Sequence, residues 1–198
     1  VLSHIAPNKE RIIRTTPDQT YLRIGDKTKP IVGENLRNLE YSKGTRHYED
    51  EFHLYARIED MDHELLGKYK SSIGAAEMSD EQVLKARGFL QQVNGEWRLT
   101  NAAVLLFAEN IRQFYPNCRV RFLRYDGVEA KVGVAINLIK DVSIEYPLLR
   151  LIDKTKEFIR NQLRDFTRLN TATGKFEMIP EYPEFAWAEG VINAITHR

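Results

Sequence analysis

The sequence is poor in several things that would have narrowed its role at once. It has one cysteine, Cys118, which cannot form a disulfide within the chain or supply a zinc cluster. No apolar run is long enough to span a bilayer; the strongest, residues 102–108, is about a third of the length needed. No basic-then-apolar segment opens the chain, so the expected compartment is the cytoplasm and no membrane contact is expected. There is no Gly-rich phosphate loop, no Gly-x-Ser-x-Gly and no His-Glu-x-x-His. His47, His53 and His63 lack metal-ligand spacing with other donors. A net charge of +1 gives no global attraction to nucleic acid.

What is present is an ordinary globular composition. Over 198 residues, 42% are hydrophobic and 29% charged, enough for one domain with a full core or two small ones and too apolar for a disordered tail. Charge is uneven: residues 1–46 lean basic, and residues 47–67 lean acidic. The chain begins without Met and stops at Arg198 inside an apparent helix with no terminating Gly, Asn or Pro, so both ends read as cuts in a longer protein.

The pattern predicts an α+β fold. Short β segments are expected at Val1–Ile5, Arg11–Arg14, Thr20–Ile24 and Phe52–Ile58, with a short helix over Gly33–Tyr41. Helices are expected at Asp62–Tyr69, after the N-cap Ser79, and over Asn101–Ala108 behind the cap Thr100. The last of these has almost no polar face and should be covered on most sides. Asn94-Gly95 predicts a tight hairpin, giving a winged-helix-like outline of two helices and a small β-turn. Strands follow at Arg119–Tyr125, Val132–Ile139 and Lys175–Ile179. The longest helix is predicted over Pro147–Leu169, with Leu148, Ile152, Thr155, Ile159, Leu163 and Phe166 as its core stripe. A final helix follows Pro183, with Trp187, Ala188, Val191, Ile192 and Ile195 on its apolar side.

On that final helix Glu189, Asn193 and His197 stand at i, i+4 and i+8. Each step advances only about 40° around the axis, so the three share one stripe. A carboxylate, an amide and an imidazole in line can face a phosphate and a divalent cation; the alternative is an ordinary polar face. A second stripe, Lys156, Arg160, Arg164 and Arg168, would follow the long helix and could track a phosphate backbone, or be a solvated face.

The stretch Glu189-Gly190-Val191-Ile192-Asn193-Ala194-Ile195-Thr196-His197-Arg198, preceded by Tyr182-Pro183-Glu184, resembles the first ATP-site helix, or N box, of the GHKL ATPase fold. It is closer to the form in divergent-AAA, RecG-like helicase-related transcriptional regulators that carry a Schlafen-type AlbA domain. Leu99–Phe107 resembles that family's central helix, and Tyr21-Leu22-Arg23-Ile24-Gly25 resembles the strand closing its AlbA domain. The resemblance implies that residues 1–48 are the tail of an AlbA-type DNA-binding domain and that residues 58–198 form an α+β module running into a GHKL-like ATP-binding domain. It gives Glu189 a water-orienting, catalytic role, makes Asn193 the Mg²⁺-associated residue, and sets His197 and Arg198 near nucleotide phosphates, with Arg23 a candidate DNA contact. Ala188 and Gly190 depart from the Arg and small non-Gly residue usual around the Glu, and the Asp-x-Gly-x-Gly nucleotide box does not occur in these residues. The implied function is DNA-binding transcriptional regulation with nucleotide sensing through ATP and Mg²⁺ in the longer protein, neither being expected in this chain alone. The alternatives are an ATP-hydrolysing, helicase-related enzyme of DNA metabolism and an oligomerisation or linker module that binds neither ligand, homo-oligomers being open in each case.

Overall fold

The computed structural model describes residues 11–196. In chain order it contains β1 (Thr20–Ile24), β2 (Lys27–Ile31), α1 (Glu34–Ser42), α2 (His63–Ser72), α3 (Asp80–Ala86), β3 (Leu90–Val93), β4 (Glu96–Leu99), α4 (Asn101–Phe107), α5 (Ile111–Phe114), β5 (Val120–Tyr125), β6 (Leu138–Ile144), α6 (Leu148–Arg160), β7 (Asp165–Asn170), β8 (Lys175–Pro180) and α7 (Glu184–Thr196). The strands pair as four antiparallel two-stranded sheets, each from consecutive strands. The class is α+β.

The core is built around α4. Its Ala103, Val104, Leu105 and Phe107 are buried, while Leu106 is half-buried. The Phe107 ring meets Tyr69 of α2 at 5.2 Å and Phe89, just before β3, at 5.6 Å, in the tilted and edge-on geometries that aromatic pairs prefer. Leu66 of α2 and Leu84 of α3 are fully buried in the same cluster, which extends to Leu151 of α6 and Ile195 of α7.

Local chemistry fixes the ends of these elements. Thr100 accepts the Ala103 N–H at 3.3 Å and starts α4. Ser79 and Gln82 close a reciprocal capping box on α3. Asn94 and Gly95 both take positive φ, 52° and 86°, the left-handed pair that joins β3 to β4 in a two-residue turn. Buried Asn101 is fully used. Its N–H goes to Glu51 O at 2.7 Å, its side-chain amide donates to Tyr48 O at 2.9 Å, and its carbonyl accepts the Tyr115 hydroxyl at 2.8 Å.

Several expectations are corrected. Residues 11–14 are not a strand, and residues 1–5 lie outside the described residues. Residues 52–58 do not form a strand: Phe52 makes one isolated bridge to Thr100, and then His53 draws the chain into a turn by accepting the Ala56 and Tyr55 N–H groups on Nδ1 at 3.0 and 3.3 Å. The second strand of the β5–β6 pair begins at Leu138, not Val132. Residues 126–137 close instead into a loop around the Asn137 side chain, which donates to Asp126 O and Glu129 O and accepts the Lys131 N–H. β2 was not anticipated; it contains Pro30, paired with Tyr21 in a sheet whose two strands are both edges. The long helix stops at Arg160, and residues 165–170 are strand β7.

The His53 ring packs against Phe114 at 5.1 Å and Tyr115 at 5.6 Å, and burial lowers its pKa, partly opposed by the charge of Asp60. Its Nδ1 is an acceptor, so the neutral form is the one that fits. A histidine whose folded pKa lies below its unfolded value of about 6.5 contributes stability that is present above that value and lost as pH falls through the folded pKa. In urea denaturation, stability lost between about pH 7 and pH 5 should therefore be smaller in His53→Ala than in the parent; an unchanged loss would contradict this role for His53.

Candidate functional site

α7 follows Pro183, whose carbonyl accepts the Ala186 N–H at 3.1 Å. The residues from Phe185 to Ile195 are rich enough in apolar side chains to anchor one side of the helix. Ala188 and Ile195 are buried, Trp187, Val191 and Ile192 are half-buried, and the helix packs along α6. With that side fixed, Glu189 and Asn193 are left exposed on another. They stand one turn apart, and the Asn193 amide donates to a Glu189 carboxylate oxygen at 3.2 Å. The amide nitrogen is thereby committed, and the Asn193 carbonyl oxygen remains as an acceptor beside a carboxylate. That donor set suits a hard divalent cation which takes its other ligands from water and phosphate. His197 and Arg198 lie outside the described residues.

Arg23 is exposed on β1, and its Nε donates to Gly25 O at 3.2 Å. The hairpin turn therefore holds the guanidinium over its own backbone.

The second stripe does not form. Lys156 and Arg160 are on α6, but Arg164 is in the connection after it and Arg168 is on β7. Leu163 and Phe166 fit a helical repeat, which is why the sequence reads as continuous helix. Phe166 and Leu169 fall on opposite faces of β7, so no alternation marks the strand; the Asn170 side chain accepts the Ala172 N–H at 3.0 Å to nucleate the hairpin turn beyond them. Three of the four cations are also partnered. Lys156 lies 3.7 Å from Glu184, Arg160 bonds Asp165 at 3.1 Å, and Arg164 forks onto Glu181 with a contact of 2.9 Å. This fork raises the pKa of Arg164 and lowers that of Glu181. Arg168 faces Glu177 across the β7–β8 ladder. Glu181 was not singled out in the sequence; its only signal there is an acid just before Pro183.

Among the described residues, no group of three or more His, Cys, Asp or Glu side chains is placed to hold a metal ion, and no helix is long and apolar enough to cross a membrane. No protein-family model matches the sequence, and no curated protein matches it. One solved structure similar in fold is that of the DIP2311 protein from Corynebacterium diphtheriae, a structural genomics target, with a TM-score of 0.53 and 22% sequence identity. The match covers 98% of this chain and 37% of that one, so the chain spans little more than a third of its neighbour's length.

A stripe broken at residue 160 and neutralised by acids should contact few phosphates. In fluorescence anisotropy with a short DNA duplex at physiological salt, the chain should bind no tighter than the roughly 10⁻⁴–10⁻⁶ M of non-specific contacts. Salt-sensitive binding well below micromolar would contradict this.

Proposed function

We propose that the chain is part of a DNA-linked regulatory protein of the divergent-AAA type with a Schlafen-type AlbA domain, and that α7 is one wall of a GHKL-like nucleotide site. The observation that carries this reading is the exposed Glu189–Asn193 pair, one helical turn apart, on a helix whose other side is anchored to α6. When bound, Mg²⁺ would offset phosphate charge, with Asn193 supplying a carbonyl oxygen to it. Glu189 holds the Asn193 amide in place through its hydrogen bond and, as a carboxylate, can orient or deprotonate a water. His197 and Arg198 would lie toward the phosphates on the same reading, and residues 1–48 would be the tail of the AlbA-type domain through which the longer protein meets DNA. The proposed compartment is the cytoplasm.

A second reading, an oligomerisation module, draws on the β7–β8 hairpin. Leu169, Phe176 and Met178 share one of its faces, and Phe176 and Met178 are 74% and 72% exposed.

Isothermal titration of the gene's full-length product with Mg²⁺-ATP tests the first reading. Asn193→Ala should abolish Mg²⁺-dependent binding without changing the melting temperature. Glu189→Gln should keep binding and lose any slow hydrolysis, because it keeps the shape and loses the base. No binding by the parent at millimolar ATP, or equal binding by Asn193→Ala, would move the assignment to the oligomerisation module.

A further inference from the structure

Three aromatic side chains, Tyr48, Phe114 and Tyr115, line one cavity of about 290 Å³, together with Leu105 of α4 and Cys118. They come from two separate segments of the chain. The Tyr48 and Tyr115 rings lie 6.5 Å apart and are set across one another at 68°. The His53 ring braces Phe114 at 5.1 Å and Tyr115 at 5.6 Å. Buried Asn101 holds both tyrosines: its amide donates to Tyr48 O at 2.9 Å, and its carbonyl accepts the Tyr115 hydroxyl at 2.8 Å. Asn101 is the first residue of α4, so the positions of these walls are set by the core. Pro116 and Asn117 also line the cavity and are exposed, so it opens to solvent.

The chemistry of the walls and the charge around them select the occupant. An aromatic ring carries a negative face that attracts a cation without any hydrogen bond. The surroundings are negative as well. Glu49 and Asp50 belong to the same turn as Tyr48, are exposed, and have no ion pair among the described residues. The neighbouring cations are engaged: Arg46 with Glu51 and Glu40, and Arg112 and Arg119 with Glu145 at 3.2 and 4.0 Å. No charged side chain lines the cavity itself. A primary ammonium would lose the water on its three N–H donors there, with no carboxylate in the lining to replace it. A quaternary ammonium has no N–H to leave unsatisfied, yet it keeps the charge that the rings and the two acids favour.

We infer that this cavity is an aromatic cage for a trimethylammonium group, the head of a choline-like small molecule or of a methylated lysine side chain. Tyr48, Phe114 and Tyr115 receive the methyl groups, and Glu49 and Asp50 supply the field that favours the charge.

The probe is choline titrated into the ¹⁵N-labelled chain, beside its neutral isostere in which a tert-butyl group replaces the trimethylammonium. Amide shifts should concentrate in residues 48–50 and 114–118. Choline should bind at least about fivefold tighter than the isostere, because the two share a shape and differ in charge. Tyr48→Leu removes a ring that is 43% exposed, and should weaken choline binding at least about fivefold with an unchanged melting temperature. Glu49→Gln combined with Asp50→Asn should weaken it about twofold at low salt and leave it unchanged near 0.5 M, where the field is screened. End-blocked trimethyllysine separates the two sources of the group: tighter binding than choline assigns the cage to a methylated protein, and weaker binding assigns it to a free small molecule. The inference is overturned if no shift is seen at roughly 0.1 M choline, if the shifts lie elsewhere, if the isostere binds as tightly, or if Tyr48→Leu binds choline as the parent does.

Discussion

Burial of α4 is the constraint on which the rest of the molecule depends. A helix of seven residues is too short to be stable alone in water. It persists here because other elements cover it. α2 and α3 bring Leu66 and Leu84, Phe89 and Tyr69 surround Phe107, and α6 reaches the same cluster through Leu151. Polar groups at both ends are satisfied by distant parts of the chain. Asn101 bonds Glu51, Tyr48 and Tyr115 at one end, and the Phe107 carbonyl accepts the Asp62 N–H at 2.7 Å at the other.

Asp62 passes that constraint on to the candidate site. Its carboxylate caps α2 by accepting the Leu65 N–H at 2.9 Å and pairs with Arg150 of α6 at 2.7 Å, while its backbone holds the end of α4. A single buried acid thus ties three helices together, with both of its oxygens engaged, which is the condition for a buried charge to be tolerated. α6 so positioned carries α7 on one side and faces the β5–β6 sheet on another. The helix that carries the exposed Glu189–Asn193 pair is therefore seated on an element fixed by the core beneath it.

The sequence was most legible where a short-range device decides the structure. The caps Thr100 and Ser79, the Asn94-Gly95 turn and the all-apolar run of α4 each act within a few residues, and each is found where the pattern puts it. Glu189 and Asn193 share one side of α7 for the same reason, as a consequence of helical period alone, while His197 lies outside the described residues. Legibility failed where a strand carries no alternation of its own or where a side chain acts at a distance. Leu163 and Phe166 satisfy a helical repeat and hide the turn into β7. Asn137 organises residues 126–137 by reaching across the loop, and His53 does the same on a smaller scale. The partners of the basic residues were hidden too, since Arg164–Glu181 spans seventeen positions. Whether the Glu189–Asn193 pair holds a ligand depends on groups that its own spacing does not encode.

The central claim is that the fold rests on a fully covered α4, and Phe107→Ala tests it most directly in equilibrium urea denaturation. Phe107 is completely buried at the meeting point of α2, α4 and the segment leading into β3. Its truncation should cost about 3–5 kcal/mol, the range for large aromatic deletions in packed cores. A loss below about 1 kcal/mol, the scale of a surface substitution, would show that α4 is not the element on which the structure is built.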